Sequence, residues 1–490
     1  MPARPEPKPA PNTPAASAAR PSVRQGVSRG LATFDDAVHF LLDRVNVERS
    51  NHSKLDPHTF KLERTAALME ALGNPHTSFK SVHVGGSKGK GSVCEMAAAS
   101  LQACGLTTGL YTSPHLMDIR ERVRIGGRPI PHEDFRILAQ KIASILPRFQ
   151  KAWGPPTFFE LITALAFLYF AEQAVDIAVV EVGLGGRLDS TNVITPLVSV
   201  ITAIHLEHTD LLGTTHEAIA REKAGIIKPG VPVLTLEQPD AGAGEAIRRA
   251  AEDRGAPLLV LGQDLDFSSR VGPSSGHGPE ARVCLTTPRS SFEHIVVPLR
   301  GEHQATNCGL VLGVLDQLRQ HGYTIRERDV VRGLAQTPGH GRLELVHASP
   351  RIFIDGAHNP ESIGALLKSL ATHVRYDSLV VVFGCAKDKD APGMLRRLGA
   401  GADKVVFTRA SNNPRAMEPR DLARRYLDLC SRPAQTAPTL RDALVLARGA
   451  VAREDAICVT GSFYLAGEAK RLLQPQGEAK PLRVAPPRHR

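Results

Sequence analysis

The chain has 490 residues, of which 42% are apolar and 22% are charged, and its formal net charge is +10. This composition is that of an ordinary globular protein, and it excludes collagen, a fibrous coil and a chain that is disordered throughout. No uncharged apolar run approaches the roughly 18 residues that a membrane-spanning helix needs, so the sequence predicts no membrane association. At roughly 150 residues per domain, the length predicts two or three domains.

The positive charge is concentrated in the two terminal segments. Residues 1–30 carry a net charge of +4 and residues 470–490 one of +5, so the remainder of the chain is close to +1. Nucleic-acid-binding proteins usually carry their basic patch on a folded domain. This distribution therefore predicts no nucleic-acid partner.

The cysteines and the N-terminal segment indicate the cellular compartment. Seven cysteines are scattered without any C-x-x-C pair, which is typical of free thiols in a reducing cytoplasm. Residues 1–30 are rich in Pro and Ala and lack the apolar segment of a secretory signal. We interpret them as a disordered tail of a cytoplasmic protein, with an organelle transit peptide as the less favoured alternative.

The first half of the chain alternates β-branched runs with amphipathic or apolar segments. The predicted strands are 81–84, 107–112, 175–182, 197–204, 231–236 and 258–261. The predicted helices are 92–104, 158–173 and 217–224. Residues 266–291 are rich in Ser, Gly and Pro, and this composition predicts a loop or a small excursion from the domain.

A second series of strands follows Thr337-Pro338-Gly339. Its predicted strands are 351–354, 379–383, 404–408 and 456–459, with helices between them. Strand–helix alternation in both halves predicts two α/β domains with mainly parallel sheets. We place the domains at 31–338 and 339–469, between a disordered tail at 1–30 and a basic tail at 470–490.

Polar and glycine-rich residues recur at the predicted strand ends. Seven such segments occur, at 85–92, 113–115, 181–192, 205–210, 355–359, 384–390 and 461–462. Because ligands bind beyond the carboxyl ends of parallel strands, the sequence predicts one functional face formed by these segments.

The segment Gly85-Gly86-Ser87-Lys88-Gly89-Lys90-Gly91-Ser92 lies between a predicted strand and a predicted helix. Glycines let backbone N–H groups converge on an anion, and the helix N-terminus adds positive potential. The general P-loop pattern fails twice, because Val84 replaces its first glycine and Gly91 its hydroxyl residue. The residues alone leave two interpretations open, a phosphate-binding loop and a glycine-rich turn.

The loop G-S-K-G-K-G-S resembles the G-T-N-G-K-G-S loop of the folylpolyglutamate synthase/dihydrofolate synthase family, which belongs to the Mur ligases. Further motifs of that family follow in order over roughly residues 35–470: Y-T-S-P-H-L at 111–116, T-F-F-E at 157–160, E-V-G-L-G-G-R-L-D-S-T-N at 181–192, H-T-D at 208–210, R-E-K-A-G-I at 221–226, H-Q at 303–304 with Asn307, D-G-A-H-N-P at 355–360 and G-S-F-Y at 461–464. Three departures stand out: Ser87-Lys88 replaces Thr-Asn, Glu207 replaces Asp, and His340-Gly341 lengthens P-G-R to P-G-H-G-R.

The resemblance implies a two-domain Mur-ligase-like fold. A P-loop ATP-binding domain with a mainly parallel sheet would be followed by a smaller Rossmann-like ligase domain. It also implies ATP-dependent amide bond formation, in which a substrate carboxylate forms an acyl phosphate and the amine of L-glutamate displaces phosphate. The substrates would be dihydropteroate or a reduced folate, and the enzyme would act as a monomer.

The resemblance also assigns site residues. Catalytic roles fall to Lys90, His208 and Lys223. ATP would be bound by Gly86, Ser87, Lys88, Gly89, Lys90, Gly91, Ser92, Asn307, Arg342 and Asp355. Two Mg²⁺ ions would be held by Ser113, Glu181, His208 and Lys223, the last as a carbamate formed with CO₂. From the residues alone, the alternatives are a capping carboxylate for Glu181, a solvent-facing helix lysine for Lys223, a helix-surface amide for Asn307 and a turn former for Asp355.

The pterin-bearing substrate would contact two further motifs. The residues assigned to it are Thr157, Phe158, Phe159, Glu160, Leu188, Asp189 and Ser190. Aromatic residues at helical spacing belong more often to a core than to a ligand site, and this alternative stays open. His358 and Asn359 are assigned to glutamate or phosphate, with a structural role in the D-G-A-H-N-P turn as the alternative.

Three other functions compete with this interpretation. A Mur-type ligase joining an amino acid to a UDP-linked sugar acid is disfavoured by G-K-G-S and T-F-F-E. A non-catalytic nucleotide-binding homologue is disfavoured because Lys90, Glu181, His208 and Lys223 are all present. A nucleic-acid-associated ATPase is disfavoured by the nearly neutral central region. The sequence does not decide between dihydrofolate synthase, folylpolyglutamate synthase and an enzyme with both activities.

Overall fold

The computed structural model describes residues 30–46, 61–272, 279–411 and 413–473. Nearly all of the predicted N-terminal tail and residues 474–490 of the predicted basic tail lie outside these ranges. Within them, no helix is both long enough and apolar enough to cross a membrane.

The larger sheet has eight strands in the order β4-β3-β2-β5-β1-β6-β7-β8. These strands are β1 (Lys80–Gly85), β2 (Thr108–Tyr111), β3 (Val123–Ile125), β4 (Arg128–Pro129), β5 (Ile177–Glu181), β6 (Val198–Ile201), β7 (Val233–Leu236) and β8 (Leu258–Leu261). All neighbours pair in parallel except β3 and β4, which form an antiparallel edge. The central strands are β-branched and buried on both faces, as a parallel sheet covered by helices requires.

Helices cover both faces of this sheet. They are α1 (Phe34–Leu42), α2 (Leu62–Ala71), α3 (Lys90–Ala103), α4 (His132–Trp153), α5 (Phe158–Glu172), α6 (Thr209–Leu212), α7 (His216–Ala224) and α8 (Ala241–Glu252). The α5 helix is apolar almost all round because it is buried among its neighbours rather than lying at the surface.

Within the predicted loop or excursion at 266–291, the described residues form two strands and begin a third, so a plain loop was wrong. The strands β9 (Asp266–Gly272), β10 (Glu280–Thr286) and β11 (Ser291–Val296) make an antiparallel sheet, although residues 273–278 lie outside the described part of the chain. Ala281, Val283 and Leu285 alternate with less buried residues along β10 and pack in the same core as the next helix. This period of two defines the strand, and the Ser, Gly and Pro content obscured it.

Two helices, α9 (Glu302–Gln320) and α10 (Glu327–Ala335), complete the first half, and a second sheet follows. Its strands are β12 (Glu344–Ala348), β13 (Arg351–Ile354), β14 (Leu379–Phe383), β15 (Lys404–Phe407), β16 (Gln435–Thr436) and β17 (Ala456–Thr460), in the order β12-β13-β17-β14-β15-β16. Only β12 pairs antiparallel. The helices around it are α11 (Pro360–His373), α12 (Ala391–Gly401), α13 (Pro419–Cys430), α14 (Leu440–Gly449) and α15 (Phe463–Leu473).

The predicted fold class, α/β with two mainly parallel sheets, is confirmed. The predicted boundary at 338/339 falls in the segment between α10 and β12. The last helix runs to Leu473, so Lys470 belongs to a helix and not to the predicted basic tail, and its ammonium contacts Glu344 at 2.6 Å. The carboxyl ends of strands from both sheets face a common cleft.

Candidate active site between the two sheets

A cleft of about 760 Å³ lies between the two halves and is lined by residues of both. The structure brings together here most of the predicted site residues: Ser87, Lys88, Gly89, Lys90, Gly91, Ser92, Ser113, Thr157, Phe159, Glu181, Leu188, Asp189, Ser190, His208, Asn307, Arg342, Asp355, His358 and Asn359. Gly86, Phe158, Glu160 and Lys223 are not among the lining residues. The predicted functional face therefore exists as one continuous space.

The glycine-rich loop 85–92 connects β1 to α3, and it is called the phosphate loop below after the role that the family resemblance implies. Gly86 has φ +130° and Gly89 has φ +99°, and side chains are strongly disfavoured at such angles. A Cβ at Gly86 would also overlap the Thr202 side chain. The first three residues of the 14-residue α3, Lys90, Gly91 and Ser92, line the cleft. The N-terminus of a helix is a favourable position for an anion.

Two lysines converge on one carbonyl of this loop. Lys90 Nζ donates to the Gly86 carbonyl oxygen at 2.9 Å and to that of Ser87 at 3.3 Å. Lys223 Nζ donates to the same Gly86 oxygen at 2.9 Å. Two ammonium groups therefore lie beside the Gly86 carbonyl, where the loop backbone turns.

Arg342 and Asn307 lie over the loop from outside. A Cβ added to Gly91 would overlap the Arg342 guanidinium and would stand 3.4 Å from Glu181 Oε1. A Cβ added to Gly89 would overlap the Asn307 carboxamide, which donates to Gln304 Oε1 at 3.0 Å. The two inserted residues before Arg342 therefore leave its side chain in the cleft, and Asn307 is buried rather than at a helix surface.

Glu181 ends β5 and is buried beside Ser113. Its Oε2 accepts the backbone N–H of Ser113 at 3.0 Å. Burial raises the pKa of Glu181, against the opposing charges of Lys90 and Arg342. A buried carboxylate of this kind gains from a cation in the cleft.

Lys223 is 2% exposed, so it is not the solvent-facing lysine of the alternative interpretation. Its Nζ lies 2.7 Å from Glu207 Oε1. Burial lowers the pKa of Lys223 to about 8, although Glu207 opposes this shift. Burial would raise the pKa of Glu207, but Lys223 and its neighbours outweigh that effect and hold it at about 2. The pair is a buried salt bridge at the edge of the cleft.

The T-F-F-E motif divides between site and scaffold, which corrects the assignment of Phe158 and Glu160. Thr157 and Glu160 form a capping box at the start of α5, and Glu160 is clamped by Arg64 at 2.8 Å. Phe158 is 1% exposed and packs in the core. Phe159 alone of the two aromatic residues lines the cleft, with its ring against Gly183.

Asp189 shapes the loop that carries Leu188 and Ser190. Its carboxylate accepts the N–H groups of Gly183 at 3.1 Å, Leu184 at 2.9 Å and Thr191 at 2.9 Å. Burial raises the pKa of Asp189, against these hydrogen bonds. Its oxygens are thus engaged by the chain itself although it borders the cleft.

The C-terminal side of the cleft is built from the turn after β13. Asp355 accepts the N–H groups of Leu343 and Ala357, both at 2.8 Å, and burial raises its pKa to about 6. His358 Nδ1 lies 2.9 Å from the Gly356 carbonyl oxygen. Asn359 caps α11 and accepts from Lys88 Nζ at 3.0 Å. This last bond joins the phosphate loop to the second half of the chain.

Two family models match the chain: the Mur ligase middle domain over residues 84–315 and the Mur ligase glutamate ligase domain over 341–463. A Bacillus subtilis dihydrofolate synthase/folylpolyglutamate synthase is 34% identical over 84% of this chain and 95% of its own length. The chain belongs to the folylpolyglutamate synthase/dihydrofolate synthase family. The resemblance seen in the motifs is therefore confirmed.

A structure of Mycobacterium tuberculosis folylpolyglutamate synthase complexed with ADP superposes with a TM-score of 0.79. It is 34% identical and covers 90% of this chain and 98% of that one. The predicted two-domain Mur-ligase fold is thereby confirmed. The chain spans half the length of another relative, a probable bifunctional folylpolyglutamate synthase/dihydropteroate synthase of Haloferax volcanii, which is 34% identical.

Within the described residues of this family member, no group of three or more His, Cys, Asp and Glu side chains is arranged to hold a metal ion. The predicted set of Ser113, Glu181, His208 and Lys223 contains only two side chains of these types, Glu181 and His208, and it stays a prediction. Mg²⁺ uses few protein ligands and completes its shell with water and phosphate oxygens. The hard oxygen donors Ser113 and Glu181 fit an ion of that kind.

Several cleft residues were not assigned to the site from the sequence. Glu207 pairs with Lys223, Arg122 lies beside His115 at 2.8 Å, and Arg415 contacts Asp388 at 3.3 Å. Glu207 and Asp388 lie in the strand-end segments 205–210 and 384–390, so their positions in the sequence could have indicated that they belong to the cleft. Arg122 and Arg415 lie outside these segments, and nothing in the sequence indicated their place in the cleft.

Proposed function

We propose that this chain is an ATP-dependent ligase of folate metabolism that joins L-glutamate to the carboxylate of dihydropteroate or of a folate. Membership of the family makes it a carboxylate–amine ligase. The observation that carries the proposal is the cleft itself, where Lys90, Glu181 and Arg342 converge on the phosphate loop. The UDP-sugar-acid ligase is not favoured by the curated relatives.

The reaction has two steps. The substrate carboxylate attacks the γ-phosphorus of ATP, which gives an acyl phosphate and ADP. The amine of glutamate then attacks the acyl carbon, and phosphate leaves as the amide forms. All participants are anionic, so catalysis depends on charge neutralisation and on alignment.

The residues of the phosphate loop would meet this need. The α3 N-terminus and Lys90 would hold the β- and γ-phosphates, while Arg342 would approach the same phosphates from the opposite side. Ser113 and Glu181 would hold Mg²⁺, which would supply further charge neutralisation. Asn307 and Asp355 would complete the nucleotide site from the two halves of the chain.

We also propose that Lys223 is carbamylated in the active enzyme and that the carbamate and His208 hold a second Mg²⁺. The neutral amine attacks the carbon of CO₂ and loses a proton, which turns a cation into an anion. The burial of Lys223 at the edge of the cleft and its pairing with Glu207 support this proposal, because a buried ammonium beside a dication would be repelled. Glu207 must give up its ion pair when the carbamate forms.

Phe159, Thr157, Leu188 and Ser190 line the part of the cleft that we assign to the pterin-bearing substrate. The exposed side of the Phe159 ring would stack on a flat heterocycle. His358 and Asn359 stay our proposal for the glutamate or phosphate side. Both side chains already form hydrogen bonds within their own turn, so their positions would be fixed before a ligand binds.

The two halves would act as separate domains, 31–338 and 339–469, that close over ATP before chemistry. The contact between Lys88 and Asn359 supports this, because it spans the cleft. We further propose a cytoplasmic monomer without a nucleic-acid partner. The nearly neutral charge of residues 31–469 and the seven free cysteines support these points.

The test is phosphate release in the presence of ATP, Mg²⁺ and L-glutamate, with dihydropteroate or tetrahydrofolate added in turn. Release with dihydropteroate alone identifies a dihydrofolate synthase, and release with tetrahydrofolate alone a folylpolyglutamate synthase. Release with both identifies an enzyme with both activities. No release with either acceptor, from protein that binds ATP, would contradict the proposed function.

A further inference from the structure

The turn that carries Arg342 has an unusual backbone. His340, Gly341 and Leu343 all have positive φ, at +38°, +69° and +44°. Non-glycine residues adopt such angles only where the surroundings impose them. The contacts of this turn therefore determine where Arg342 points.

On one side the turn is bound to the C-terminal sheet. Gly341 N–H donates to Glu344 Oε2 at 2.8 Å, and Leu343 N–H donates to Asp355 at 2.8 Å. Gly356 N–H donates to the Gly341 carbonyl oxygen at 2.9 Å. With these bonds alone, Arg342 would move with the C-terminal half.

On the other side, the His340 ring contacts the first half. Its Nδ1 lies 3.1 Å from Glu95 Oε1 and 3.3 Å from Arg124 Nη1. Glu95 belongs to α3, and Arg124 to β3; the two form a salt bridge, and each is 4% exposed. The ring thus docks on a buried ion pair of the helix that begins at the phosphate loop.

The docked ring and the Arg342 guanidinium face a common space. A small cavity of about 30 Å³ is lined by His340, Arg342, Glu95 and Glu181. Arg342 reaches past it to Gly91 at the start of α3. His340 and Arg342 therefore hold the same helix, one at its second turn and one at its first.

We propose that His340 is a positioning residue that fixes the Arg342 turn to α3 and so holds the guanidinium at the phosphate loop. His340 and Gly341 lengthen the P-G-R pattern of the family, so this anchor belongs to the extended linker of this chain. The inference rests on the proposed function, because it takes Arg342 as a nucleotide ligand. His340 acts through Arg342 and does not itself touch ATP.

The test compares two substitutions at position 340. His340→Gly removes the ring where a glycine backbone is unstrained, and His340→Asn keeps a donor and an acceptor and tolerates positive φ. We expect His340→Gly to raise the KM for ATP roughly tenfold with a smaller change in kcat, since misplacing a phosphate ligand weakens nucleotide binding. His340→Asn should restore most of the loss. His340→Ser gives a second measurement of ring removal, and melting temperatures verify folding.

The double variant His340→Gly/Arg342→Ala identifies the route of the effect. We expect it to be no worse than Arg342→Ala alone, because the anchor has nothing left to position. Folded His340→Gly and His340→Ser proteins with an unchanged KM, or effects that multiply in the double variant, would overturn the inference alone. An Arg342→Ala protein with unchanged KM and kcat would overturn both the inference and the nucleotide role of Arg342.

Discussion

The two walls of the cleft use their polar groups in different ways. On the wall formed by the first half, Lys90, Lys223, Glu181 and Glu207 are charged groups held beside one another around the phosphate loop. On the C-terminal wall, Asp355 is hydrogen-bonded to the backbone of its own turn and the adjoining linker, as His358 is to its turn. At these residues the first wall presents charged groups, whereas the second presents polar groups that are fixed within a turn.

This difference indicates that the two walls have different roles, one in catalysis and one in shaping the binding site. Charges that are already gathered need no reorganisation when a polyanion arrives, which is the property that electrostatic catalysis requires. A turn whose polar groups are satisfied internally can close on the nucleotide without losing its form. Substitutions on the first wall should therefore reduce turnover in a folded protein, and those on the second should change stability or affinity.

The largest effect is expected at Lys90. Lys90→Ala removes the ammonium that would stabilise the transferring phosphoryl group, and we expect turnover to fall by ~10³-fold or more. Phosphate release and circular dichroism measure the loss and the integrity of the fold. Lys80→Ala, an exposed lysine at the other end of β1, is the matched control. Near-normal turnover in folded Lys90→Ala would remove the phosphate loop from the mechanism.

A smaller loss with a specific rescue is expected at Lys223. Lys223→Ala should lower turnover by roughly 10²-fold, and small carboxylic acids should restore part of it by taking the place of the carbamate. Arg221→Ala, exposed on the same helix, is the control. Full activity of Lys223→Ala without added acid would exclude the metal-bridging role.

The second wall is tested by the pH dependence of stability at Asp355. Burial raises its pKa from 3.8 to about 6, so between these pH values the folded chain binds the proton more tightly than the unfolded chain. Stability therefore falls as pH rises through this window, by on the order of 3 kcal/mol from this group. Asp355→Asn does not titrate and should lose that dependence.

Urea unfolding at pH 4 and pH 7 measures the difference for Asp355. The free energy of unfolding of the wild type relative to Asp355→Asn should be higher at pH 4 than at pH 7. Asp428→Asn, an exposed carboxylate on α13, should show no such change. If the free energy of unfolding of the wild type relative to Asp355→Asn is the same at both pH values, the ionised Asp355 carboxylate is not destabilised by burial and the expected pKa shift is wrong.

The smallest effect is expected where the walls meet. Lys88→Asn introduces the residue of the family loop and removes the hydrogen bond to Asn359. The loss of one such hydrogen bond costs about 0.5–1.5 kcal/mol, so the KM for ATP should change by roughly two- to tenfold. A loss as large as that of Lys90→Ala would show that Lys88 belongs to the catalytic charges.

The sequence predicted ten strands of the two larger sheets, because runs such as Val179–Val180 or Val380–Val382 are buried on both faces. It missed the short or edge strands β3, β4, β12 and β16. It also missed β9–β11, where the strand signal is a weak alternation inside a segment rich in turn residues. It also placed all of T-F-F-E at the substrate, because a motif does not tell which side chains of a helix start point inward. The partners Arg64 for Glu160 and Glu207 for Lys223 are long-range contacts that only the fold supplies.

The close approach of Arg342 to Gly91 explains one irregularity of the loop. Common P-loops carry a larger residue at this point, whereas here the guanidinium of a residue about 250 positions later fills the space that a side chain would need. The glycine thus leaves room for a side chain of the neighbouring lobe, and a larger residue at position 91 would displace the guanidinium from the place that it now occupies.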